Sequence, residues 1–125
     1  MKEEVKRWME QANADLKSAR NSLKSKDYYL AAFMSQQAVE KGLKSIYLEL
    51  HGELRKIHDL AYFARKLNLS EDLIEKCEKL TKAYVETRYP DLGSGKIPAK
   101  NFSKDDAKKF LSMASEVLKC IKKMK

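Results

Sequence analysis

The stretch Tyr29–Leu50 constrains this chain more than any other, because it reads as one long helix with three different faces. At about 100° per residue, Ala32, Phe33, Val39, Leu43, Ile46, Tyr47 and Leu50 share one arc, the pattern of a core-facing stripe. Gln36 and Glu40 fall inside that arc. A second line, Ala31, Ser35, Ala38, Gly42 and Ser45, steps by four and three and holds only small side chains, so another helix can approach closely there. A helix with this pattern is packed on more than one side. A carboxylate and an amide among apolar groups are costly unless hydrogen-bonded, so Glu40 is expected to find a cationic or donor partner on a neighbouring helix.

The remaining segments read as further helices. Val5, Trp8, Met9, Ala12, Leu16, Ala19 and Leu23 form one stripe on a first helix from about Glu3 to Ser25. Asp27 is placed to cap the second helix, and Gly52 stands where a helix C-terminus wants a left-handed residue. A short third helix spans about His58 to Leu67. A fourth opens at Ser70 and runs to about Arg88, where Pro90 stops it, with Leu73, Cys77, Leu80 and Tyr84 inward and Arg88 at the same edge. After a loop from Asp91 to Asn101, Ser103 with Asp106 is a capping-box variant for a fifth helix that buries Ala107, Phe110, Leu111, Ala114, Val117, Leu118 and Ile121. Strand-type alternation is absent, and 125 residues suit one domain over 1–125. The expected fold is all-α, an antiparallel up-and-down bundle of about five helices.

Composition narrows the setting. No apolar run reaches the roughly 20 residues of a membrane span, and Met1-Lys2-Glu3-Glu4-Val5 lacks the apolar stretch of a signal peptide, so a cytoplasmic protein is expected. Cys77 and Cys120 have neither a C-x-x-C spacing nor enough further ligands for zinc, and read as reduced thiols on or beside a buried face. The formal net charge is +8. Between Lys96 and Lys125 nine lysines face Asp105, Asp106 and Glu116, so most of the excess lies in the last helix and the loop before it. Such a face attracts phosphate-bearing partners or serves only as a solvated lysine surface.

Few motifs carry chemistry. Gly93-Ser94-Gly95-Lys96 lacks the preceding strand, the longer glycine spacing and the Ser/Thr after lysine of a Walker loop, although its amides and Lys96 can still help to hold a phosphate. His51 suits a helix C-terminus, and His58-Asp59 suits the capped start of the third helix, so neither imidazole needs a catalytic role. Thr87-Arg88-Tyr89-Pro90-Asp91 is more informative, since it sets a guanidinium, an aromatic and an acid where a helix opens into a loop. Antiparallel packing of the second and fourth helices would bring Gln36 and Glu40 towards Tyr84 and Arg88. Two arrangements are open there: Glu40 pairs with Arg88, which fixes helix register and pre-organises the guanidinium, or Arg88 keeps donors free to dock an anion together with Lys96 and nearby loop amides.

Ala31-Ala32-Phe33-Met34-Ser35-Gln36-Gln37-Ala38-Val39-Glu40-Lys41-Gly42-Leu43-Lys44, then His58-Asp59-Leu60, then Thr87-Arg88-Tyr89-Pro90-Asp91 together resemble the HEPN domain (higher eukaryotes and prokaryotes nucleotide-binding) over nearly the whole chain. The resemblance implies a helical bundle that forms a homodimer and works beside a minimal nucleotidyltransferase, frequently as a toxin–antitoxin pair, with nucleotide binding or ribonuclease activity in some members. The family's ribonucleases carry an Arg followed after four to six residues by a His, contributed by both protomers. Arg88 matches, but no His follows His58.

The expectation is therefore a nucleotide- or nucleic-acid-binding module without a cofactor, metal or catalytic residue. Its ligand site would comprise Arg88, Tyr89, Asp91, Lys96, Glu40 and Gln36. The alternative is a metal-independent RNase toxin with a degenerate site around Arg88. A homodimer is also expected from the second helix, whose Leu30, Met34 and Leu48 add a further apolar face.

Overall fold

The computed structural model describes residues 2–90 and 95–124. Helices α1 (Glu3–Lys24), α2 (Tyr28–His51), α3 (Leu60–Lys66), α4 (Glu71–Arg88) and α5 (Lys104–Lys122) form the bundle, with a 3-10 turn at Pro98–Lys100 before α5. No strand occurs among the described residues. The fold is the expected all-α bundle.

Each helix boundary has a local cause. Lys26 adopts a left-handed conformation (φ 64°), and Asp27 N–H donates to the Ser22 carbonyl at 2.8 Å, which closes α1 with a reversal of Schellman type. Asp27 itself makes no side-chain cap on α2, contrary to expectation, and its backbone (φ −96°, ψ 77°) lies outside the extended conformation of the capping residues Ser70 and Ser103. Gly52 ends α2 at φ 71°, with its N–H on the Leu48 carbonyl. Asp59 accepts from Tyr62 N–H to start α3, and Ser70 accepts from Leu73 N–H to start α4. Ser103 and Asp106 complete the reciprocal capping box of α5.

The helix α2 is the centre of the molecule and touches every other element. Its small-residue line receives two neighbours. Ser45 Oγ donates to the Val5 carbonyl of α1 at 2.8 Å, and Gly42 leaves room for Leu118 and Ile121 of α5. A Cβ at residue 42 would lie 2.9 Å from Ile121 Cδ1 and closer still to Leu118 Cδ2. The apolar stripe packs with Leu60 and Phe63 of α3, Cys77 and Leu80 of α4, and Val117 of α5 in one continuous core. Two residues depart from the expected stripe. Phe33 is only partly buried, and Leu50 is 56% exposed, because the last turn of α2 projects beyond the bundle. Trp8 is likewise only partly buried, at the edge of α1's stripe.

Candidate anion-binding site

The organising group of the site is Glu40, 6% exposed and in the middle of α2. Both of its oxygens are occupied. Oε1 accepts from Gln36 Nε2 at 2.9 Å and lies 2.9 Å from His58 Nδ1, while Oε2 accepts from Lys44 Nζ at 3.1 Å. Gln37 Nε2 in turn donates to Gln36 Oε1 at 2.7 Å. Burial acts to raise the Glu40 pKa, but hydrogen bonds from His58 and Gln36 and the charge of Lys44 outweigh it and hold the carboxyl below its ordinary value. A carboxylate only accepts hydrogen bonds, so His58 presents Nδ1–H to it, and the opposite ring nitrogen, Nε2, is the one left for other partners.

Three features fix His58. Its neighbour Asp59 caps α3, Leu60 N–H donates to Thr81 Oγ1 of α4 at 3.0 Å, and the imidazole stacks on Tyr84 with centroids 4.2 Å apart and planes 17° apart. The imidazole remains 49% exposed, so it is oriented yet accessible. The same Tyr84 ring carries Arg88, one turn further along α4, with the guanidinium carbon 4.9 Å from the ring centroid. Arg88 is exposed and has no ion-pair partner among the described residues. A continuous line of contacts thus runs from Glu40 through His58 and Tyr84 to Arg88.

Of the two arrangements open to Arg88, the Glu40–Arg88 pair does not form. Both Glu40 oxygens already have partners in Gln36 and Lys44 on the same helix and in His58, and Arg88 turns to the surface over Tyr84 instead. The partners at i−4 and i+4 are readable in the sequence, since residues four apart share a helix face. An expectation confined to partners on other helices overlooks them. Capping, the role expected of His58, is filled by Asp59 alone. Of the other expected site residues, Gln36 lies in the Glu40 network, Tyr89 is exposed at the end of α4, and Lys96 is exposed before the 3-10 turn, outside the hydrogen bonds that Glu40 makes among the described residues. Asp91 lies outside the described residues.

Elsewhere, Cys77 is fully buried, and burial pushes its thiol up to about 12, so it remains protonated. No group of three or more His, Cys, Asp or Glu suited to a metal occurs among the described residues.

This arrangement of helices has known relatives. A family model for the HEPN domain matches residues 5–124. The chain belongs to the HEPN domain family. This HEPN domain is 32% identical to MJ1304 of Methanocaldococcus jannaschii, a protein named as a suspected toxin, over 94% of this chain and 86% of that protein. Among solved structures it resembles TT1696 from Thermus thermophilus, with a TM-score of 0.91 at 30% identity and 98% of each chain covered. It also resembles ST0689, an archaeal HEPN homologue, with a TM-score of 0.80 at 30% identity over 99% of this chain and 98% of that one. An HEPN domain protein from Thermotoga maritima shares the fold at 24% identity, with a TM-score of 0.74 over 94% and 96% of the two chains.

Proposed function

We propose that this HEPN domain is a nucleotide- or nucleic-acid-binding module that holds ligand phosphate at Arg88 and His58, acts as a homodimer in the cytoplasm, and works beside a minimal nucleotidyltransferase in a toxin–antitoxin-like pair. One observation carries the binding assignment. Arg88 is exposed and has no ion-pair partner among the described residues, and it lies over the same Tyr84 ring on which the imidazole held by Glu40 stacks. A guanidinium presents a planar fork of donors to phosphate, and an ordered neighbouring ring loses little entropy on binding. Lysines of α5 and the preceding loop add long-range attraction for polyanions. The toxin-like name of MJ1304 and the family itself support a paired partner.

The second reading is metal-independent RNA cleavage, and the Glu40–His58 contact favours it. In that reaction the 2′-hydroxyl attacks the adjacent phosphorus, His58 takes the hydroxyl proton, Arg88 offsets the charge on the phosphoryl oxygens, and the 5′-oxygen leaves with a proton from water. One experiment separates the two. Labelled single-stranded RNA is incubated with the protein in EDTA and followed by both anisotropy and gel. Binding without strand scission, weakened by Arg88→Ala, is the expected result. Cleavage that His58→Ala abolishes would establish the second reading, and neither binding nor cleavage would remove both.

A further inference from the structure

The only tryptophan of the chain is not where core packing requires it. Trp8 stands partly exposed in a groove of about 410 Å³ between α1 and α2, lined by Glu4, Arg7, Trp8, Gln11 and Lys41. That volume falls within the ~300–1,000 Å³ of small-ligand sites. Glu4, Arg7, Trp8 and Gln11 follow one another at helical spacing along a single face of α1, so the groove is a product of the helix and not of a loop.

Its polar wall is built from inside. Asp15, 3% exposed, receives Gln11 Nε2 at 2.9 Å and Lys41 Nζ at 2.5 Å through its two oxygens. This fixes the Lys41 ammonium at the groove with further N–H donors unspent, and leaves the Gln11 carbonyl oxygen as an acceptor. Arg7 is exposed and has no ion-pair partner among the described residues. The buried Lys44 ammonium, paired with Glu40, lies 6.0 Å from the Trp8 ring centroid.

A stacking surface, two cations and two acceptors within one groove match a planar heteroaromatic ring bearing an anionic group. We propose that the α1–α2 groove is a nucleobase site, in which the base stacks on Trp8, the phosphate meets Arg7 and Lys41, and Glu4 and Gln11 accept from amino or hydroxyl groups of the ligand. Base–aromatic stacking tolerates any base, because every base has a π-face, so the site takes a free nucleotide or one nucleotide of a strand. The assignment does not rest on Arg88.

Because Trp8 is the sole tryptophan, its emission reports occupancy directly. The full-length protein is titrated with AMP, a short oligoadenylate, ribose 5-phosphate and inorganic phosphate, exciting where adenine does not absorb. Saturable quenching by AMP identifies a free nucleotide, saturable quenching by the oligoadenylate alone identifies a strand, and either result supports the site. Ribose 5-phosphate and phosphate should leave the emission nearly unchanged. Arg7→Ala should weaken the quenching by about tenfold, the ordinary loss for one charge-assisted contact of ~1.4 kcal/mol, while Arg88→Ala leaves it intact. Calorimetry on Trp8→Leu should show the adenine-dependent binding lost, with Trp8→Phe retaining part of it and both variants keeping a cooperative melt. No saturable quenching by either adenine ligand would overturn the site. So would quenching that Arg88→Ala removes and Arg7→Ala leaves.

Discussion

At the scale of single residues, Glu40 decides how this bundle can be polar inside. Its carboxylate and the Lys44 ammonium are both buried and pair with each other, and Gln36 and His58 supply the carboxylate's remaining hydrogen bonds. Glu40→Gln keeps the shape and strands Lys44, so it should cost roughly 3–5 kcal/mol in urea denaturation. The pH dependence has a definite sign. A carboxyl whose folded pKa lies below its unfolded value stabilises the fold above the ordinary value of 4.5, and that contribution fades as pH falls through the folded pKa. Wild type should therefore lose stability on acidification below about pH 4.5 more steeply than Glu40→Gln. A parallel decline in both would remove Glu40 from the account. Part of this residue-level picture was legible in the sequence, since Gln36, Glu40 and Lys44 stand four apart on one face. The contact from His58 was not, because it depends on how residues 52–59 lead the chain back across α2, and no periodicity encodes that path.

At the scale of elements, the pattern of α2 carries most of the fold. The line of small residues was readable as a close helix approach, and Gly42 against Leu118 and Ile121 is where that approach is closest. Gly42→Leu should overpack the α2–α5 contact and lower stability by about 1–3 kcal/mol, measured by thermal unfolding. Gly42→Ala tests the same contact more gently, with helix propensity gained against Leu118 displaced. An unchanged melt for Gly42→Leu would contradict the packing. Ends of elements were less legible than their faces. Gly52 and the Ser103–Asp106 box fulfilled their local signals, whereas Asp27 made no side-chain cap on α2, and Leu50 kept the stripe's spacing after the bundle beneath it had ended. Spacing shows which face a residue takes, but only the neighbouring element shows whether anything covers it.

At the scale of the whole molecule, the apolar surface and the charge point outward. Val85, Tyr89 and Ile97 are exposed near the end of α4 and the loop beyond it, and α2 adds Leu50. A second copy covering such groups gives the homodimer of the proposed function, with α2 and α4 as the leading interface. Light scattering at tens of micromolar, well above a sub-micromolar dissociation constant, should report twice the mass of 14.5 kDa. A monomer at that concentration would refute it. The most direct test of the central claim, that Arg88 is a phosphate contact and not a core tie, is the affinity of Arg88→Lys for labelled single-stranded RNA measured by anisotropy, taken together with its melting temperature. Lysine keeps the charge and loses the planar fork. The account predicts a fall in affinity of about tenfold or more, ~1.4 kcal/mol, with the melting temperature nearly unchanged because Arg88 is exposed. Wild-type affinity in Arg88→Lys, or a variant that binds less only because it unfolds, would contradict it.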